Sequence, residues 1–205
     1  MDYEKLATQE TVEKVVAALG ERGVEAIVVK NRKDALDKIK ELIPAGASIM
    51  NGASVTLEQI GFVDYLKAGE HGWNNLHEAI VKEKDPARAS QLRKEALLSD
   101  YYLGSVHALA ETGEFIVASQ TGSQLPHIVF SSPNLILVVS TKKIVPSLPE
   151  AMKRLHEHVI PLEEKQMQEK YKGHTAPNKI VTFAGENPML KRKLRMMLVE
   201  ENLGF

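Results

Sequence analysis

Residues 24–50 read VEAIVVKNRKDALDKIKELIPAGASIM, and the order of patterns within them sets the fold class. Val24-Glu25-Ala26-Ile27-Val28-Val29 is a short β-branched run of the kind that forms a buried strand. Asn31 can then cap a helix carrying Leu36, Ile39 and Ile43, and Pro44-Ala45-Gly46 stops it. A second strand follows at Ala47-Ser48-Ile49-Met50. Strand, helix and strand at this spacing predict a βαβ unit, and hence a parallel sheet. Upstream, Val12, Val15, Val16 and Leu19 form a helical stripe that ends near Gly20 and Gly23.

Downstream, residues 135–139 and 180–183 predict two more buried strands, and residues 147–170 and 188–202 two more helices. Ser147 and Glu150 have capping-box spacing at the start of the first of these helices, while Pro161 predicts a kink or an end partway along it. The whole is a single α/β domain over residues 1–205, with residues 103–119, LGSVHALAETGEFIVAS, as a β-hairpin insertion or sheet edge.

Composition excludes several functions. The 26 basic residues nearly cancel the 27 acidic ones, so no global field draws the chain to nucleic acid or to an anionic membrane. No apolar run approaches the roughly 18 residues of a membrane span, and MDYEKLATQE lacks the pattern of a secretory signal, so a cytoplasmic location is expected. There is no cysteine, which removes disulfides, zinc thiolates, a thiol nucleophile and thiolate-held iron–sulfur clusters from this chain. The sequence also lacks G-x-G-x-x-G, G-x-x-x-x-G-K-[ST] and G-x-S-x-G, and no two of its seven histidines have i, i+4 spacing, so no metal site is expected.

Three junctions can carry chemistry. At Met50-Asn51-Gly52-Ala53-Ser54-Val55-Thr56 a strand runs through a glycine turn into a helix. Thr56 and Gln59 fit a capping box there, and the Ser54 and Thr56 hydroxyls join the backbone N–H groups as donors to an anion. At Phe183-Ala184-Gly185-Glu186-Asn187-Pro188, Asn187 reads as an N-cap and Pro188 as the first residue of a helix. That helix would bury Leu190, Leu194, Met197 and Leu198 and leave Lys191, Arg192, Lys193 and Arg195 on a solvated basic face. The third junction is the Glu111-Thr112-Gly113 turn of the hairpin, where alternation puts His107 and Glu111 on the same side of the sheet. Capping at the first junction and a solvated carboxylate at the third are the plain structural alternatives.

Three segments taken together carry a family resemblance. These are residues 51–61, NGASVTLEQIG; residues 99–104, SDYYLG; and residues 108–113, ALAETG. Their order and spacing resemble the LUD family, the LutC/YkgG lactate-utilisation proteins. The resemblance implies a Rossmann-like three-layer αβα sandwich related to the NagB/RpiA/CoA-transferase superfamily. It also implies a part in oxidising L-lactate to pyruvate beside partner proteins that carry iron–sulfur clusters, with no cofactor in this chain. A small carboxylate or anionic cofactor would be held by Asn51, Gly52, Ser54, Thr56, His107, Thr112, Gly113, Gly185 and Asn187, with Glu111 as acid or base. Where family members commonly carry Gly-Pro-Ser after the last strand, this chain has Ala184-Gly185-Glu186-Asn187-Pro188. A stand-alone CoA-transferase or isomerase, a non-catalytic scaffold and a homo-oligomer all stay open. Phe62, Tyr65 and Trp73 are either core residues or a partner surface.

Overall fold

The computed structural model describes residues 1–205, the side chain of Tyr171 excepted. Its frame is a six-stranded, wholly parallel sheet in the order β1-β10-β7-β4-β2-β3. These strands are β1 (Glu25–Val29), β2 (Ser48–Asn51), β3 (Asn74–Asn75), β4 (Tyr101–Gly104), β7 (Asn134–Ser140) and β10 (Lys193–Val199). A second sheet, in the order β8-β5-β6-β9, contains β5 (Ala108–Ala110), β6 (Phe115–Ser119), β8 (Ile144–Val145) and β9 (Lys179–Phe183).

Helices flank the sheets as the apolar stripes require. Helix α1 (Gln9–Glu21) is capped by Thr8 and lays Val12, Val15 and Leu19 on the face of the main sheet that carries Leu135, Leu137 and Met196. Helices α2 (Arg32–Leu42), α3 (Val55–Gln59) and α4 (Phe62–Ala68) cover the opposite face, packing on Ile49, Leu103, Ile136 and Met197. The architecture is thus the αβα sandwich expected, with Asn31 capping α2 as the sequence indicates. Helices α5 (Leu76–Lys82) and α6 (Pro86–Glu95) complete the edge near β3. Phe62 and Trp73 are core residues; Trp73 donates its indole N–H to the Ile43 carbonyl, and Tyr65 packs edge-on against its ring.

Helix α7 (Leu148–Arg154) is capped by Ser147 and runs through a π-helical turn at Leu155–Val159 into α8 (Ile160–Tyr171). Pro161 therefore neither ends the helix nor breaks it. The wide turn just ahead of it absorbs the missing N–H donor. Ala151 and Leu155 pack onto Ala108, Ile116 and Val145 of the second sheet, forming a third apolar cluster.

Three expectations are corrected. Residues 188–202 do not form a helix: Pro188–Leu190 makes one tight turn, Lys191 ends it in the left-handed region (φ 53°), and Lys193–Val199 becomes β10. The strand pairs with β1 on one side and β7 on the other, so it buries both faces at the middle of the sheet. The hairpin, for its part, is no insertion. Its two strands are the central pair of the second sheet, while Tyr101–Gly104 just upstream belongs to the main sheet. The chain crosses between sheets at Ser105, Val106 and His107, and β9 closes the hairpin's outer edge, half exposed rather than buried.

Candidate functional site

A cavity of about 470 Å³ opens beyond the carboxyl ends of β2, β4 and β7, where parallel α/β sheets place their ligands. Gly52, Ser54 and Thr56 line it from the turn after β2, and Ser105 and His107 from the crossing after β4. Lys143 lines it from the segment after β7, and Glu163 from α8.

Lys143 dominates the chemistry. The residue is 4% exposed, and its Nζ lies 3.2 Å from Thr56 Oγ1, 3.2 Å from Ser105 Oγ and 3.1 Å from the Val106 carbonyl. All three partners are neutral oxygens, and no carboxylate pairs with it among the described residues. Burial, followed by the nearby Arg154 and Lys142 cations, pushes the amine down to about 7. Gly204 (φ 68°) closes over this group: a Cβ there would stand 2.3 Å from Thr56 Oγ1 and 2.9 Å from Lys143 Nζ.

His107 is fixed as a neutral donor. Its Nδ1 accepts the Ala118 N–H at 3.1 Å, which leaves the proton on Nε2. Burial, with Lys143 and Arg154 nearby, pushes the ring down to about 3, so it does not charge at neutral pH. Arg154, wholly buried, donates to the His107 carbonyl and anchors this stretch from α7. Glu163 is shifted the other way: burial raises its carboxyl above the usual range, with Glu58 adding to the rise.

The turn after β2 is built for this position. Ser54, not Thr56, is the N-cap of α3, accepting from the Leu57 N–H. Thr56 is free to meet Lys143, and Gln59 accepts the Gly204 N–H at 2.6 Å, so both residues of the expected capping box serve the cavity wall. Gly52 has no room for a side chain, since a Cβ would come within 2.4 Å of the Tyr102 hydroxyl. Asn51 is buried behind this wall, its Oδ1 without a protein partner, and does not line the cavity.

The structure brings Gly52, Ser54, Thr56 and His107 together and places Glu111, Thr112, Gly113, Gly185 and Asn187 elsewhere. His107 and Glu111 flank β5 at opposite ends and form no pair. Glu111 meets Lys14 of α1 at 2.7 Å. Arg22, at the end of α1, donates to the Thr112 and Ala184 carbonyls and pairs with Glu114. Gly113 (φ 89°) lies against the Ala18 carbonyl and Gly185 against that of Arg22, while Asn187 caps the short turn before β10. These are the fastenings of the α1 end. Because the Lys14 partner is solvent-exposed, Glu111→Gln is expected to cost less than about 1 kcal/mol in urea unfolding and to leave cavity binding intact. A loss of ligand affinity in that variant would return Glu111 to the site.

Lys143 and Ser105 escape a sequence reading that looks for carboxylates and histidines. One signal was present: Thr141-Lys142-Lys143 directly follows a buried parallel strand, the position where such sheets bind ligands. Among the described residues no group of three or more His, Asp or Glu side chains is arranged to hold a metal ion, and no helix is long and apolar enough to cross a membrane.

Residues 12–183 match the family model of the LUD domain. Among solved structures the chain is similar to a DUF162 family protein from Deinococcus radiodurans, with 15% identity over 95% of this chain and 99% of that one and a TM-score of 0.57. At that identity the likeness bears on the fold. No curated protein matches the chain.

Proposed function

The chain belongs to the LUD domain family, associated with lactate utilisation, and from that premise we propose that it is a LutC/YkgG-like subunit whose cavity binds a small carboxylate or an anionic cofactor. The observation that carries this reading is the Lys143 amine, buried at the cavity wall with no protein carboxylate beside it. Enclosing an ammonium without a counter-ion is costly, and a bound carboxylate would supply the missing charge. The hydroxyls of Ser54, Thr56 and Ser105 and the Nε2–H of His107 add neutral donors around the same space.

In this reading the chain binds and orients the acid and shields it from water. Two electrons leave a 2-hydroxy acid when it becomes a 2-oxo acid, and because this chain has no cysteine to hold a thiolate-ligated cluster, their acceptance falls, in this reading, to iron–sulfur clusters of partner proteins. The cavity is larger than a three-carbon acid needs, which leaves room for a cofactor or for a group from such a partner.

Calorimetry with lactate, pyruvate, acyl-CoA and sugar phosphates tests the site, with Ser54→Ala and Thr56→Ala as controls. Absence of binding, or binding indifferent to both substitutions, would sink it. The pH dependence has a definite sign. An anion favours the ammonium form of Lys143, whose free pKa is about 7, so lactate affinity is expected to fall by up to about tenfold per pH unit above that value. Binding at pH 8 should take up a proton and binding at pH 6 should not, as read from heats in buffers of different ionisation enthalpy.

A further inference from the structure

We propose that Lys143 is also a carbonyl-reactive amine, which forms an imine with a 2-oxo acid held in the cavity. This rests on the carboxylate-binding reading and adds a covalent activity to it.

Three features of the site point this way. In the free protein the amine is held by neutral oxygens only, so no protein carboxylate locks it in the ammonium form. Burial, followed by the Arg154 and Lys142 cations nearby, instead brings the amine down to about 7, so that a substantial share of it is free base at neutral pH. His107 offers a permanently neutral N–H on the same cavity wall, suited to hydrogen-bonding a carbonyl oxygen without protonating the nucleophile. Glu163, on α8, adds a carboxyl whose raised pKa suits it to giving and taking protons.

The chemistry closes without an oxidant. The nitrogen lone pair of Lys143 attacks C2 of the 2-oxo acid, and the carbonyl π electrons move to oxygen, which takes up a proton as the nitrogen gives one up. The carbinolamine then loses its hydroxyl as water, with a second proton, while nitrogen forms the C=N bond. Amine and ketone become imine and water, and on taking up one proton from solvent the imine nitrogen becomes a cation next to the acid's own carboxylate. A 2-hydroxy acid has no keto carbonyl at C2 and can bind only without a covalent bond, so one site would treat the two acids differently.

Borohydride trapping decides the matter. The wild-type protein is incubated with pyruvate, reduced, digested and mapped by mass spectrometry, with lactate as the parallel control. The expected result is an N-(1-carboxyethyl) modification concentrated on Lys143, absent with lactate, absent in Lys143→Arg, and forming faster as pH rises through 7. Direct mapping on the wild type keeps the test valid even if the variant folds poorly. Modification spread over surface lysines without preference for Lys143 would overturn the proposal. No adduct despite calorimetric binding of pyruvate would overturn the imine and leave the carboxylate site standing; no binding at all would remove both.

Discussion

Arg192→Ala is expected to lower the free energy of unfolding by about 3–5 kcal/mol, a fall in Tm of roughly 10 °C for a chain of this size. The Arg192 side chain is only 6% exposed and its Glu186 partner 8%. The guanidinium donates to the carbonyls of His127, Ile128, Val129 and Ser132 at 3.0–3.2 Å and to the Glu186 carboxylate at 2.8 Å. Those carbonyls belong to the turn that leads into β7, and Glu186 to the loop that leads into β10, so one side chain fastens the start of both neighbouring strands. Truncation leaves a buried carboxylate and four carbonyls without their donor. Lysine lacks the planar fork, so Arg192→Lys should recover only part of the loss, whereas Lys191→Ala, one residue away and exposed, should change little. Urea and thermal melts measure all three. Ligand binding below the melting range should be unchanged in Arg192→Ala, since the cavity draws on none of these groups. A loss under about 1 kcal/mol would show that the pair is a surface contact after all.

The same residue shows where the sequence stops being legible. Within residues 188–202 the apolar positions Leu190, Leu194, Met197 and Leu198 fit a helical stripe, and Leu, Met, Lys and Arg favour helix locally. Yet Leu194, Met196 and Leu198 face one apolar cluster while Met197 and Val199 face the other, a pattern of period two that only a strand with both faces buried can satisfy. An apolar run of this length suits either structure, and tertiary pairing with β1 and β7 decides it. Residues 24–50, by contrast, were legible because each local signal agreed with its neighbour: a β-branched run, an Asn cap, a Pro-Gly stop and a second strand.

The cavity divides along the same line. Gly52, Ser54 and Thr56 could be read because a turn after a parallel strand has a fixed relation to the sheet. The hairpin turn at Glu111 has no such relation; which end of a hairpin faces the ligand depends on how the second sheet is hung from the first. Here the crossing at Ser105, Val106 and His107 turns the opposite end of β5 toward the cavity, and Glu111 toward α1. Lys143 was hidden for another reason. Two adjacent lysines read as solvated charge, and nothing local reports that both side chains are buried.

Lys143→Met separates the ligand's need for that charge from the fold's. Affinity for a small carboxylate is expected to fall by about 10–100-fold, the worth of one charge-assisted hydrogen bond. Stability should move the other way. In the folded chain the amine titrates near 7 against 10.5 for an unperturbed lysine, so between those values the unfolded chain binds more protons and wild-type stability rises with pH. Below about pH 7 the free protein carries the full penalty of a buried, unpaired ammonium, which methionine of similar length removes. The Ser105 and Thr56 hydroxyls keep each other at 3.4 Å, although the Val106 carbonyl loses a donor at a cost of about 1–3 kcal/mol. The stability of Lys143→Met relative to wild type should therefore be greatest near pH 6 and decline steadily toward pH 10, as urea unfolding at several pH values would show. The opposite trend, with the variant losing ground as pH falls, would mean that the ammonium already has an internal counter-ion, and the cavity would then have no charge left to offer an acid.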